Sequence, residues 1–370
     1  MTKEEIQHLL DHSNPQSEEA LEFSSMLQFH DLGWQCEYAM HEEEDNSFLG
    51  RKDFTEVVLD KYLLPKLEDL NKDKPKQAIN KALEFLKNDR SVMQMVNANR
   101  EIYQALKEGV KVSYLDDNGQ QQTERIKVVD WKRPSNNHFL IISQFQIKGS
   151  LHLRRPDLIG FLNGLPLLFI EYKASHVAVK HAYDDNLRDY KDTIPNLLWY
   201  NALCILSNGL DAKIGSITAG WEHFADWKKI SSESEPGVID LNTMVSGTCE
   251  HQRFIDIVEN FIVFLEIQGG LAKIVSKNHQ YLGVKNAMQA IHRVQENQGK
   301  LGVFWHTQGS GKSISMIFFC QKVLRKVPGN WTFVIITDRT ELDDQIYSNY
   351  SHSTNKSQRR LSNGRRPSFR

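Results

Sequence analysis

The stretch from Arg154 to Lys173, RRPDLIGFLNGLPLLFIEYK, constrains this chain more than any other. Two apolar runs flank Asn163-Gly164, a pair that takes positive φ readily and is the strongest short hairpin signal. The second run, Leu165 to Ile170, is unbroken, which predicts a central strand buried on both faces. Charge sits only at the far ends, as Arg154, Arg155 and Asp157 before the first run and as Glu171 and Lys173 after the second. Residues two apart on a strand share a face, so Glu171 and Lys173 project together. A strict two-residue turn sets Glu171 opposite Pro156, and a three-residue loop with a bulge sets it opposite Asp157. Either way two carboxylates and an ammonium converge. Two carboxylates with open water positions suit Mg²⁺. A neighbouring lysine can orient the attacking water and stabilise charge on a phosphate. Asp157 and Glu171 are therefore the expected metal ligands and, with Lys173, the expected catalytic groups of phosphodiester hydrolysis. The plainer alternative is an ordinary hairpin whose terminal Glu and Lys are solvated.

A second constraint lies at 303–313, VFWHTQGSGKS. A strand-like run, Leu301 to Trp305, precedes it and a helical run, Ile314 to Leu324, follows. Gly309, Ser310, Gly311, Lys312 and Ser313 match the end of a phosphate-binding loop. Its glycines let backbone N–H groups curl around phosphates, the Lys reaches the β- and γ-phosphates, and the Ser holds Mg²⁺. ATP is the expected nucleotide, with His306 where the general pattern has Gly. The strand Thr332 to Ile336 should run into Thr337-Asp338-Arg339 as the next unit of a parallel sheet. Upstream, Gln280 could pair with adenine and Tyr281 could stack on it; a solvated helix start is the plainer reading.

The two motif sets, in this order, resemble the restriction (R) subunit of type I restriction–modification enzymes. The matching stretches are Asn97–Gly109, Val129–Phe145, Arg155–Lys173, His279–Val284, Trp305–Ser313 and Thr337–Gln345. Pro156-Asp157 and Glu171-Tyr172-Lys173 are similar to the PD-(D/E)xK nuclease motif. The resemblance implies an α/β fold in which a RecB-like nuclease domain precedes the first part of a RecA-like, superfamily 2 helicase or translocase domain. It implies an ATP-dependent, site-specific deoxyribonuclease acting on double-stranded DNA with methylase and specificity subunits. In that family the His306 form of the phosphate loop is usual. The RecB-like branch adds a Glu on an early helix, for which Glu22 is the candidate and Glu19 its rival. It also adds a Q-x-x-x-Y element after the Lys, which aligns with Asn186 to Tyr190, where Asn carries the same amide on a shorter stem.

Composition fits these expectations. The 370 residues allow two to three domains. No apolar run approaches the roughly 18 residues that would span a membrane. The opening MTKEEIQHLLDHSN has no apolar signal core, and Cys36, Cys204, Cys249 and Cys320 show no ligand spacing, so reduced thiols in a cytoplasm are expected. Net charge is -2, so any DNA contact must be local. Arg154 and Arg155, which abut Asp157, are the expected phosphate contacts, and Lys132, Arg133, Lys148, Lys180 and His181 are further candidates. The expected layout is a nuclease domain over 1–235, a helical linker over 236–275 with a helix from Phe254 to Leu265, a partial motor domain over 276–350, and a disordered basic tail over 351–370. The family would lead on to a DEAD-type box and an arginine finger, so a truncated motor is expected, with a DNA-binding tail as the rival reading. A non-catalytic remnant that binds DNA, ATP or the modification complex is the alternative to a working nuclease.

Overall fold

The computed structural model describes residues 1–336, residue 268 apart. The expected Thr337-Asp338-Arg339 motif and the basic tail lie outside the described residues. In chain order the helices and strands are α1 (Lys3–His12), α2 (Glu18–Asp31), β1 (Gln35–Tyr38), α3 (Asp60–Leu70), α4 (Lys76–Lys87), α5 (Met95–Glu108), β2 (Val110–Leu115), β3 (Gln121–Ile126), β4 (Phe139–Ser143), β5 (Ile147–Lys148), β6 (Leu153–Arg154), β7 (Leu158–Leu162) and β8 (Leu165–Tyr172). A π-helical segment, Ala182–Leu187, follows. Then come α6 (Arg188–Thr193), α7 (Pro195–Leu198), β9 (Leu203–Ser207), β10 (Ala212–Gly215), α8 (Leu241–Cys249), α9 (His251–Asn260), β11 (Ile262–Ile267), β12 (Gly270–Val275), α10 (Asn278–His292) and α11 (Lys312–Lys326).

The core is a six-stranded mixed sheet in the order β1-β4-β7-β8-β9-β10. Every residue of β7 and β8 is buried, as an unbroken apolar run requires. The turn between them is Asn163-Gly164, with φ of 52° and 81°. Gly164 cannot be replaced cheaply, because a Cβ there would lie 2.5 Å from the Leu59 carbonyl oxygen. The loop thus has two residues, yet Leu158 pairs with Ile170 rather than Phe169. The register shifts between Gly160 and Phe161, where Leu167 is the extra residue on β8. Neither sequence-based alternative is quite right: the turn is the short one and the bulge lies inside the strand. Gly160 makes room for it, since a Cβ there would meet the Leu168 Cβ at 2.9 Å. Continuing the register sets Asp157 opposite Glu171.

Residues 236–275 are not a bare linker. The helix expected over Phe254 to Leu265 ends at Asn260, and the β-branched Ile262-Val263 begins β11. This segment packs into the core. Trp34 Nε1 donates to the Cys249 carbonyl at 2.9 Å, and the Tyr103 hydroxyl donates to those of Val258 (2.8 Å) and Ile262 (3.1 Å). The expected strands at 301–305 and 332–336 have no regular structure. A parallel strand exists only against a neighbour, and no described strand pairs with either segment.

Lys273 on β12 is 2% exposed, and its ammonium donates to the Asn201 carbonyl. Burial pushes its pKa from 10.5 down to about 7. Such a shift costs about 1.4 kcal/mol per unit. The unfolded chain binds the proton more tightly, so this cost is full below pH 7 and fades as the pH rises towards 10.5. Lys273→Met should therefore stabilise the protein by on the order of 2–4 kcal/mol at neutral pH. The gain should shrink steadily by pH 10 in denaturant unfolding; a pH-independent difference would contradict a buried, neutralisable lysine.

Candidate active site

The site forms where the C-terminal end of β8 meets α2, the loop after β4 and the helix after β8. Ser17 caps α2 by accepting the Ala20 N–H at 3.1 Å. Glu18 and Glu22 then lie four residues apart on one helix face. Glu22 is 3% exposed and accepts hydrogen bonds from Ser143 Oγ at 2.6 Å and Gln144 Nε2 at 2.8 Å. Glu19, the rival candidate, is exposed. Gln144 holds a left-handed backbone, φ 59°, and its N–H donates to the Asp157 carbonyl at 2.9 Å. A non-glycine residue in that region is strained, and here the strain turns the amide back onto Glu22. Below it, the buried Arg51 pairs with Glu42 and donates to the Gln146 carbonyl at 2.9 Å, which fixes the loop.

Asp157 is buried, and its Oδ2 accepts the Tyr172 N–H at 2.6 Å. Glu171 is 1% exposed. Its Oε1 accepts from Asn186 Nδ2 and, at 3.3 Å, from the Tyr190 hydroxyl. Its Oε2 is buried with no hydrogen-bond partner. Burial first, and the Asp157 charge second, raise the pKa of both Glu22 and Glu171. Asp157 is raised mainly by burial and held back by the Tyr172 N–H. Lys173 Nζ lies 3.5 Å from Glu18 Oε1, and its backbone N–H donates to the Ser207 carbonyl at 2.9 Å.

The structure thus brings Glu22, Asp157, Glu171, Lys173, Asn186 and Tyr190 together. The short stem of Asn186 reaches Glu171 because it rides on the π-helical segment, while Tyr190 sits on the regular α6 that follows. A π-turn widens the helix, and such turns gather at functional sites. Sequence reading missed Glu18, Ser143 and Gln144. The i, i+4 spacing of Glu18 and Glu22 was the available signal for the first.

Arg154 makes two bonds to Asp189, at 2.5 and 3.0 Å, which anchor the β5–β6 hairpin to α6. Arg155 donates to Gln146 Oε1 at 2.5 Å. Neither guanidinium is without protein partners. Lys180 and His181 face Asp184 and Asp185. Lys132 and Arg133 line a separate groove of about 1520 Å³ beside Trp131, Arg253 and Arg325, which holds none of the site's carboxylates.

In the phosphate loop, Gly309 and Gly311 have φ of 78° and 86°, and α11 starts at Lys312. Ser310 Oγ donates to the Thr307 carbonyl at 2.7 Å. The Lys312 ammonium folds back onto the carbonyls of His306 (2.8 Å) and Thr307 (3.4 Å). Ser313 lies in the first turn of α11. Gln280 and Tyr281 are not presented to a base. The Gln280 amide bridges the Lys277 N–H (2.9 Å) and the Gly311 carbonyl (3.0 Å). The Tyr281 ring is 3% exposed, with centroids of Phe261 and Trp227 at 4.8 and 5.5 Å. Apolar packing takes the ring that a stacked adenine would need.

The described residues thus form a mixed α/β sheet with buried carboxylates gathered at one end, followed by a glycine loop and a helix. The chain belongs to the family described as type I restriction enzyme R protein N terminus, matched over residues 15–223. Residues 279–366 match the SWI2/SNF2 ATPase family. The chain is similar to the type I restriction enzyme HindI endonuclease subunit of Haemophilus influenzae, with 31% identity over 90% of this chain and 33% of that protein. It is also similar to the putative type I restriction enzyme MjaIXP endonuclease subunit of Methanocaldococcus jannaschii, with 32% identity over 70% of this chain and 27% of that one. The chain therefore spans about a third or less of the length of these curated relatives. Among the described residues no helix is long and apolar enough to cross a membrane.

The contacts of Asn186 and Tyr190 lead to a graded expectation. Asn186→Ala removes one of the two donors that fix Glu171, and Tyr190→Phe removes the longer, weaker one. On the nuclease reading argued below, cleavage should fall on the order of tenfold or more in the first variant and less in the second. Single-turnover cleavage rates would check this, and a larger loss in Tyr190→Phe would invert the assignment.

Proposed function

We propose that this chain is the nuclease part of a type I restriction endonuclease subunit, hydrolysing phosphodiesters of double-stranded DNA with Mg²⁺. The observation that carries the reading is the buried, unpartnered Oε2 of Glu171 opposite Asp157. A buried carboxylate oxygen left without a donor is costly, and a cation between Asp157 and Glu171 would supply the missing partner. No set of three or more His, Cys, Asp or Glu side chains that could hold a metal occurs among the described residues. Two carboxylates with remaining water positions are what Mg²⁺ accepts. Bound there, the metal would supply Lewis-acid stabilisation of charge on the phosphate.

The protein groups have separate tasks in this reading. Asn186 and Tyr190 keep the Glu171 carboxylate aimed. The Tyr172 N–H keeps Asp157 aimed. The Lys173 ammonium, at the mouth of the cluster, stabilises charge that develops on the attacked phosphate. Arg154 and Arg155 would contact backbone phosphates by exchanging their present partners Asp189 and Gln146, and the methylase and specificity subunits bring the sequence recognition that the family implies. Asp157→Ala or Lys173→Ala should reduce Mg²⁺-dependent DNA cleavage on the order of 10²-fold or more without loss of fold. The assay uses the whole chain, with and without methylase and specificity partners. Parental cleavage by either variant would remove these residues from the mechanism.

The loop from Gly309 to Ser313 is proposed as an ATP·Mg²⁺ phosphate cradle that couples, in the complete enzyme, to translocation. The engagement of Gln280 and Tyr281 in internal contacts favours phosphate-led binding with little hold on the base. The alternative is a chain that binds nucleotide or DNA without turnover. Titration calorimetry should find ATP binding that Lys312→Ala weakens at least tenfold, with ADP and GTP bound comparably. Strong adenine selectivity would mean that a base site exists outside these residues.

A further inference from the structure

Lys173 has one carboxylate within ion-pair distance among the described residues, and it belongs to neither metal-ligand candidate. It is Glu18, in the first turn of α2. One oxygen of Glu18 does two things. It accepts the Ala174 N–H at 3.2 Å, and it lies 3.5 Å from Lys173 Nζ. The contact therefore fixes the chain where it leaves β8 and the side chain one residue earlier. Glu22, one turn further along the same helix face, holds Ser143 and Gln144 on the other side of the cluster. A single helix thus serves both flanks of the site, with one carboxylate sealed in and the other at the rim. The Lys173 side chain is 14% exposed and that of Glu18 is 40% exposed.

We propose that Glu18 is a positioning residue that holds the Lys173 ammonium at the mouth of the carboxylate cluster and hands it to the incoming phosphate. The proposal rests on the nuclease reading above and deepens it. A free lysine stem samples many rotamers, and fixing it in advance removes that loss from the reaction step. The exposure of Glu18 suits a hand-over. A rim pair is weak in water, so a phosphodiester backed by the metal site can take the ammonium, whereas a sealed pair would retain it.

Two variants separate the ion pair from the backbone contact. Glu18→Ala loses both, and Glu18→Gln keeps an acceptor for the Ala174 N–H while losing the charge. Three quantities are measured on the whole chain: steady-state cleavage of a duplex with its partner subunits, hydrogen exchange at Ala174, and the rate at which an amine-acylating reagent modifies Lys173. In Glu18→Ala, kcat should fall about tenfold with KM within about twofold, and Lys173 should acylate several-fold faster. In Glu18→Gln, Ala174 should keep its protection and kcat should lie between the parent and Glu18→Ala. Unchanged Lys173 acylation and unchanged kcat in Glu18→Ala would overturn the proposal. So would a loss of Ala174 protection with Lys173 acylation unaltered, which is the signature of a purely structural contact. If the parent itself does not cleave, the nuclease reading fails, and the acylation comparison still decides whether Glu18 holds Lys173.

Discussion

The extra residue in β8 is the constraint on which the site depends. With the two-residue turn alone, Asp157 would pair with Ile170 and point to the face opposite Glu171. Side chains alternate with a period of two, so a one-residue slip moves a whole strand's side chains across the sheet. The bulge at Leu167 restores the alignment and sets Asp157 and Glu171 on one face. Its surroundings are built for it. Gly160 leaves space across the pair, and the Leu167 carbonyl accepts the Ala202 N–H at 2.6 Å as β9 begins. The turn is locked as well, because buried Asn163 donates to the Val128 carbonyl at 2.9 Å and accepts the His138 N–H at 2.7 Å.

Gathering carboxylates in a buried place is costly unless each finds donors. The protein answers with neutral donors rather than buried cations. Ser143 and Gln144 serve Glu22, the Tyr172 N–H serves Asp157, and Asn186 and Tyr190 serve one oxygen of Glu171. Neutral donors orient each carboxyl without placing a cation beside it, and burial raises the pKa of all three, so a cation binding there would displace protons. Among the described residues, the lysine paired nearest the cluster, Lys173, has its ammonium beside Glu18. The carboxyls thus lie buried with the ammonium at their edge, the arrangement on which the proposed metal and phosphate chemistry draws.

Much of this half of the molecule was legible in the sequence because its signals are local. An unbroken apolar run announced β8, Asn163-Gly164 announced the turn, and the charges at the strand ends are the ones the fold brings together. Glu22, Asn186 and Tyr190 came from a resemblance, and the structure brings them to the same carboxylates. A bulge was among the expectations, but its place inside β8 was not legible, since the run Leu165 to Ile170 is apolar in either register. The break at Asn260 was missed for a related reason. Phe254 to Leu265 is apolar enough for either period, and only pairing with β12 makes its second half a strand. Neither a stacking platform nor a solvated helix start describes Tyr281, because the ring's neighbours, Trp227 and Phe261, come from other parts of the chain.

The two halves differ in what closes them. Each strand of the central sheet finds its neighbour between residues 35 and 215. Around the phosphate loop, by contrast, the described residues supply helices and a loop but no paired strands, and Val303, Val334 and Ile336 are 80% exposed or more. What orders this region is its docking on the first half. Phe318 of α11 packs on Phe261 at a centroid distance of 5.6 Å, and Lys322 and Lys326 pair with Asp256 and Glu259 of α9 at 2.6 and 2.5 Å. The Gln280 amide then ties the start of α10 to Gly311. Apolar burial sets where α11 lies, and the ion pairs, partly shielded from water, set its rotation and register. The loop's glycines can therefore take their left-handed conformations at the N-terminus of a helix that is already held along its length. Among the described residues, the position of this loop is set by the packing of α11 on α9.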